Sequence, residues 1–149
     1  MTGAADALGA LESRLGHAFR DRALLVEALT HRSFANEHPG TRDNEALAFL
    51  GDAVLALIVA EHLRAVDPSA PVGVLTPRRA ALVSGPSLAR WAERLGLGGQ
   101  LRLGRGEQQT GGPGTESVLA TAFEAVLGAV HLEAGLAGAR RVVASLAVW

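Results

Sequence analysis

Apolar residues dominate one long stretch of the chain, Asn44 to Leu63, which reads NEALAFLGDAVLALIVAEHL. Turned at about 100° per residue, it carries Leu47, Leu50, Val54, Leu57 and Ile58 on one side and Phe49, Ala56, Val59, Ala60 and Leu63 on the other. An apolar surface nearly all round predicts a helix enclosed by the fold. Before it, Leu8, Leu11 and Leu15 predict a first helix over Ala4 to Leu15 stopped at Gly16, and Asp21 is placed to cap a second running through Leu29. The turn-forming run NEHPGT, Asn36 to Thr41, then delivers the chain to Asp43 or Asn44 as the cap of the long helix.

After the long helix, Asp67 to Pro71 reads as a loop. Thr76-Pro77 has the pattern of an N-cap with proline in the first turn, predicting a helix from Pro77 to Ser84. Another helix is expected from near Pro86 to Gly96, with Leu88, Trp91 and Leu95 on its apolar side and the glycine as its stop. Leu101 to Gly106 is irregular, and QQTGGPG, Gln108 to Gly114, is expected to be the most flexible stretch. Thr115 heads ESVLATAFEAVLGAVHLEAG, a helix ending at Gly135, and a final helix is expected from Leu136 to Trp149. No alternating strand pattern competes and no repeat is present, so the expected architecture is a single all-α domain over residues 1–149.

Polar exceptions on these apolar helices are the first candidates for chemistry. Glu45 and Asp52 lie seven residues apart on one stripe of the long helix, where an ionised carboxylate is costly unless paired or bound to a cation. Glu124 lies on the apolar helix after Thr115; taken alone it reads more simply as half of an ion pair, as Asp52 reads as a buried carboxylate satisfied by an arginine or by helix N-terminal N–H groups. His131 follows Glu124 by seven residues and reads as a core or rim histidine, and the other four histidines show no metal-ligand spacing.

Composition narrows the classes. At 149 residues and 48% hydrophobic, the chain can bury a substantial core. A net charge of -1 and a pI near 6.5 fall well short of a strongly basic nucleic-acid module, although all fourteen cations are arginine. Zero cysteines exclude disulfides and thiolate metal sites. Met1 to Ala10 shows no charged-then-apolar leader, and no run of eighteen apolar residues lacks a charge, so a soluble, cytoplasmic protein without a membrane partner is expected.

Four segments occur in an order that resembles the nuclease domain of the ribonuclease III family: ALTHRS (28–33), NEALAFLGDAVL (44–55), LTPRRAALV (75–83) and ESVLATAFEAVLGAVHLEAG (116–135). The resemblance covers roughly Leu8 to Val143 and implies a two-fold dimer of all-α domains that cleaves double-stranded RNA with Mg2+ or Mn2+. It places metal ligands at Asp52 and Glu124, with Glu45 a further acidic position. It also shows departures, because the family's usual N-E-x-L-E-F-L-G-D has Ala48 here in place of its second glutamate. The later L-A-D-x-x-E-A has Thr121 in place of its aspartate, and Val72 stands where many members have a glutamate. Phe49 matches an aromatic residue that inserts into the partner subunit, and Arg78 and Arg79 are candidates for phosphate contacts, although paired arginines at a helix start more often form a solvated face. The double-stranded-RNA-binding domain that usually follows in the family is not among these residues.

Since two-metal hydrolysis needs several carboxylates holding a pair of ions about 4 Å apart, the missing acids lead to the expectation of a depleted metal site. Weak or absent Mg2+ binding and a non-cleaving, dimeric RNA-binding or scaffold protein follow from it. The alternative is an active, divalent-metal-dependent double-stranded RNA endonuclease with a reduced site or one completed by a partner, homomeric or heteromeric. A plain helical interaction domain is the third reading.

Overall fold

The computed structural model describes residues 4–147 and Trp149. Met1 to Gly3, the start of the stretch expected to lack a leader, lie outside the described residues, as does Val148. The first two helices form where the leucine spacing and the aspartate cap place them: α1 (Ala4–Leu15), then α2 (Arg22–Ala28), whose N-cap Asp21 accepts from the Ala23 N–H. A short helix, α3 (Arg32–Glu37), follows inside what the sequence suggested was an approach to a turn. His31 caps it, its Nδ1 accepting from the Ser33 N–H at 3.1 Å.

The long helix is α4 (Glu45–Val66), and with α8 (Glu116–Leu146) it forms the centre of the fold. Both are apolar and long enough to cross a membrane by composition alone, and here they cover each other. Leu47, Val54, Leu55, Ile58 and Val59 of α4 are buried, as are Phe123, Val126, Leu127 and Val130 of α8. The two backbones meet at paired glycines. A Cβ on Gly51 would lie 1.7 Å from the carbonyl oxygen of Glu124, and one on Gly128 would lie 2.3 Å from that of Leu47. No side chain fits between them, so glycine is required on both helices.

Helix α5 (Val72–Leu82) begins five residues earlier than predicted. Pro71, with φ -74° and ψ 158°, occupies the N-cap, and Pro77 therefore lies within the helix. Its ring leaves the Gly73 carbonyl without an N–H partner, a loss water makes good because no residue of α5 is buried. Helix α6 (Gly85–Leu95) matches its prediction. Ser84 caps it, Gly96 ends it at φ 71°, and Trp91 packs edge-on against Phe123 of α8 with ring centroids 5.5 Å apart. The stretch around QQTGGPG contains a short helix, α7 (Arg105–Gln109), and a 3-10 turn at Gly112–Gly114.

One non-helical residue, Gly135 at φ 67° and ψ -169°, kinks α8 where the sequence placed a helix end. Just before the kink, the Glu133 carboxylate accepts from the N–H groups of Arg20 and Asp21, at 3.0 and 2.8 Å, and lies 2.9 Å from His17 Nε2. Burial alone would raise the Glu133 pKa, but those hydrogen bonds outweigh it and hold the group below its ordinary 4.5. Beyond the kink the helix ends at Leu146 rather than Trp149.

Candidate active site

The sequence motifs meet at the start of α4. The ALTHRS segment is tied to the chain beyond α6 by one isolated parallel bridge, Thr30 to Arg102. There the His31 N–H donates to the Arg102 carbonyl at 3.0 Å and the Arg102 N–H to the Leu29 carbonyl at 2.8 Å. Asn44 then fastens α4 to the same turn. Its N–H donates to the Thr30 carbonyl at 2.9 Å and its buried side-chain amide to the Ala28 carbonyl at 3.1 Å, and it is the Asp43 carboxylate that accepts from the Glu45 N–H.

From that anchored start, Glu45, Ala48 and Asp52 follow one another along the side of α4 next to α8, and Ser117, Thr121 and Glu124 along the facing side of α8. Glu45 is exposed and lies 3.6 Å from Arg32 of α3. His31, Arg32, Asn44, Glu45, Ser117 and Thr121 line a small cavity of about 150 Å³, so Thr121, in place of an acid, faces Glu45. Ala48 is buried in the α4–α8 packing.

Lower on the same seam, next to the Gly51 crossing, the carboxyl of Glu124 lies beside that of Asp52. Burial first, then hydrogen bonding with Asp52 and the negative charge of Asp52, push the Glu124 pKa from 4.5 up to about 8. Glu124 therefore holds its proton through neutral pH. A cation between the two carboxylates would take that proton's place, and the donor set is the hard oxygen type that Mg2+ and Mn2+ select.

The remaining predicted site residues are elsewhere. Val72 is exposed on α5 and lines a cavity of about 250 Å³ with Ala60, Leu63 and Arg79, away from Asp52 and Glu124. Arg78 and Arg79 are exposed beside the C-terminal half of α4. Phe49 is 82% exposed on the stripe between Glu45 and Asp52, so it does not fill its own subunit's core. His131 is a rim residue whose Nδ1 is buried without a hydrogen-bond partner. Among the described residues no group of three or more acids or histidines gathers around one point, so within one subunit the pair stands without Glu45.

Sequence reasoning missed Gly51 and Gly128, which set the helix spacing that brings Asp52 to Glu124. The signal was present, because a glycine inside an apolar helix costs about 1 kcal/mol relative to alanine and persists where backbones approach closely. Arg32 and Ser117 were also missed, since neither stands out until α3 and α8 are folded against α4.

The family model described as Ribonuclease-III-like matches residues 21–148. The chain belongs to the ribonuclease III family. It is 53% identical over 129 residues to "Ribonuclease 3" of Symbiobacterium thermophilum, covering 87% of this chain and 54% of the relative. To "Ribonuclease 3" of Streptomyces coelicolor it is 50% identical over 133 residues, covering 89% of this chain and 48% of the relative. The chain thus spans about half the length of the curated relatives it matches. Its fold resembles the nuclease domain of ribonuclease III from Campylobacter jejuni, with a TM-score of 0.88, 41% identity and coverage of 93% of this chain and 94% of that one.

These relatives overturn the expectation of a non-cleaving scaffold. At 45 to 53% identity the ribonuclease III relatives are named as ribonucleases. The physical reason the expectation overreached lies in the ligand count it demanded. Mg2+ dehydrates reluctantly, keeps several waters, and in sites that act on phosphates is commonly held by one or two protein carboxylates plus the substrate's own oxygens. The replacements at Ala48 and Thr121 are therefore not by themselves evidence of a non-cleaving domain.

Proposed function

We propose that this domain is a divalent-metal-dependent endonuclease acting on double-stranded RNA, working as a two-fold dimer. The Asp52–Glu124 carboxyl pair, set by the glycine crossing of α4 and α8, is the observation that carries the proposal. When bound, Mg2+ or Mn2+ supplies Lewis-acid polarisation of the phosphodiester and a water acidic enough to attack it at neutral pH. Asp52 and Glu124 are the residues that would hold it, Glu124 giving up the proton it otherwise retains up to about pH 8. Glu45, paired with Arg32 across the small cavity, sits one stretch up the seam, where it orients rather than ligates. Thr121 contributes a neutral hydroxyl in the same cavity, able to donate to a phosphate oxygen.

The dimer follows from Phe49. Burying it against a second copy would contribute on the order of 2 kcal/mol per side. Such a contact would also bring the partner subunit next to Asp52, where a reduced site can draw on groups from the second chain. Arg78 and Arg79 are proposed contacts to the phosphate backbone, where they would add salt-dependent affinity without sequence preference. The test is incubation with a long duplex RNA in Mg2+, in Mn2+ and in chelator. Cleavage to short duplex products that requires either ion supports the reading, and intact RNA in all three conditions refutes it.

A further inference from the structure

The end of α4, α5, α6 and the end of α8 enclose two adjoining cavities, and of their lining only Arg78 is used by the nuclease reading. One, of about 520 Å³, lies between the end of α4 and α5, with Val66, Arg78 and Trp149 on its walls. The other, of about 300 Å³, lies between α5, α6 and the end of α8, walled by Arg90, Trp91 and Arg94. Leu82 belongs to both, so they form one groove. Val66 is 68% exposed and Trp149 45% exposed, so part of the groove's apolar lining is open to solvent.

The charge around this floor has one sign. Arg78, Arg90 and Arg94 are on its walls and no carboxylate is. Arg90 donates to the Ser87 hydroxyl and Arg94 to the Leu146 carbonyl, and among the described residues neither forms an ion pair with an acid. The chain as a whole is at net charge -1, so this is a local concentration of cations rather than the reflection of a basic protein.

We propose that this groove binds an acidic amphipathic helix of a partner protein. Apolar side chains at i, i+3, i+4 and i+7 would enter the floor around Leu82 and Val66, while flanking glutamates or aspartates meet the arginines in charge-assisted hydrogen bonds. Duplex RNA would match the arginines but bring only its hydrophilic backbone to the apolar floor, and one face of the Trp149 ring is already stacked on His62 at 3.7 Å. A second copy of this chain on a two-fold axis would set the same arginines against one another.

The chain's two tryptophans, Trp91 and Trp149, both line the groove, so intrinsic fluorescence reports its occupancy. The probe is a synthetic helical peptide with leucine at i, i+3, i+4 and i+7 and glutamate on both flanks, titrated into the full chain. A saturable fluorescence change is expected, roughly tenfold weaker for a lysine-flanked peptide of the same apolar stripe. Val66→Glu and Arg90→Glu should each weaken it by about tenfold with thermal unfolding unchanged. Equal binding of the two peptides, no saturable change, or variants that bind as the parent would overturn the proposal. A change produced by short duplex RNA and not by peptide would assign the groove to RNA, and dissociation of a dimer by Val66→Glu would assign it to a second copy; either result overturns it too.

Discussion

Gly51→Ala isolates the contact on which the carboxyl pair depends. In an ordinary helix this change would stabilise by about 1 kcal/mol, because alanine loses less backbone entropy on folding. Here the added Cβ would lie 1.7 Å from the Glu124 carbonyl oxygen, half the ordinary contact separation of 3.4 Å, and the atom it meets is backbone that cannot rotate away. α4 and α8 must therefore separate along their length, thinning the contacts of buried Leu47, Leu55 and Phe123. Overpacking of this kind outweighs the propensity gain, for a net loss of about 3 kcal/mol, or roughly 6–12 °C in Tm for a domain of this size. Gly73 is the control, a helical glycine whose Cβ would meet nothing within 4 Å. Gly73→Ala should leave stability unchanged or raise it by up to about 1 kcal/mol. Urea denaturation of both variants decides the matter, and a Gly51→Ala protein as stable as its parent would refute the close crossing.

The other expectations concern the site itself. Because the Glu124 pKa is about 8 in the fold and near 4.5 unfolded, the native state binds the extra proton between those values. Its contribution to stability therefore falls as pH rises from about 4.5 to 8 and is constant above. In chelator, Glu124→Gln should remove that slope and be more stable than the parent at pH 8.5 by about 1–2 kcal/mol, a figure discounted for the group's partial exposure. A parent with a flat stability profile across that window would show that Glu124 does not retain its proton in the fold. Phe49→Asp should convert dimer to monomer in sedimentation at tens of micromolar. Its melting should change little, since an 82% exposed side chain leaves no cavity; unfolding would place Phe49 in a core instead. Ala48→Glu with Thr121→Asp should lower the Mg2+ concentration for half-maximal cleavage by roughly tenfold, and more than the two single changes combined, because ligands of one ion act together.

Much of the fold was legible because apolar spacing and caps are local signals. The helix over Asn44 to Leu63, the Asp21 cap and the Gly96 stop each depend on residues within a turn or two of one another. α3 was not legible, because its cap is a histidine acting through Nδ1 and the hydrogen-bonded bridge that supports it comes from Arg102, seventy residues away in the chain. α5 was misplaced because Pro77 is a legitimate first-turn residue, and only the exposure of the helix lets it sit further in. At the site, the positions of Asp52, Glu124, Ala48 and Thr121 could be read from motif resemblance, but their chemistry could not. The raised pKa of Glu124 beside Asp52 depends on the distance between two helices, and that distance is set by Gly51 and Gly128, which carry no chemistry of their own. Counting missing acids led to the expectation of a non-cleaving scaffold, which the relatives named Ribonuclease 3 contradict, because it weighed absent ligands alone.

The central claim is that the Asp52–Glu124 pair performs metal-dependent cleavage of duplex RNA. Its most direct test is single-turnover cleavage of a long RNA duplex in Mn2+ and Mg2+ by the parent, Asp52→Asn and Glu124→Gln, each variant first shown to be folded and dimeric to the same extent. The parent is expected to cut and each variant to lose roughly 100-fold or more in rate, since removing a carboxylate that holds the ion removes the nucleophile's activation with it. Variants that cut at the parent's rate, or a parent that does not cut above the chelator background, would contradict it.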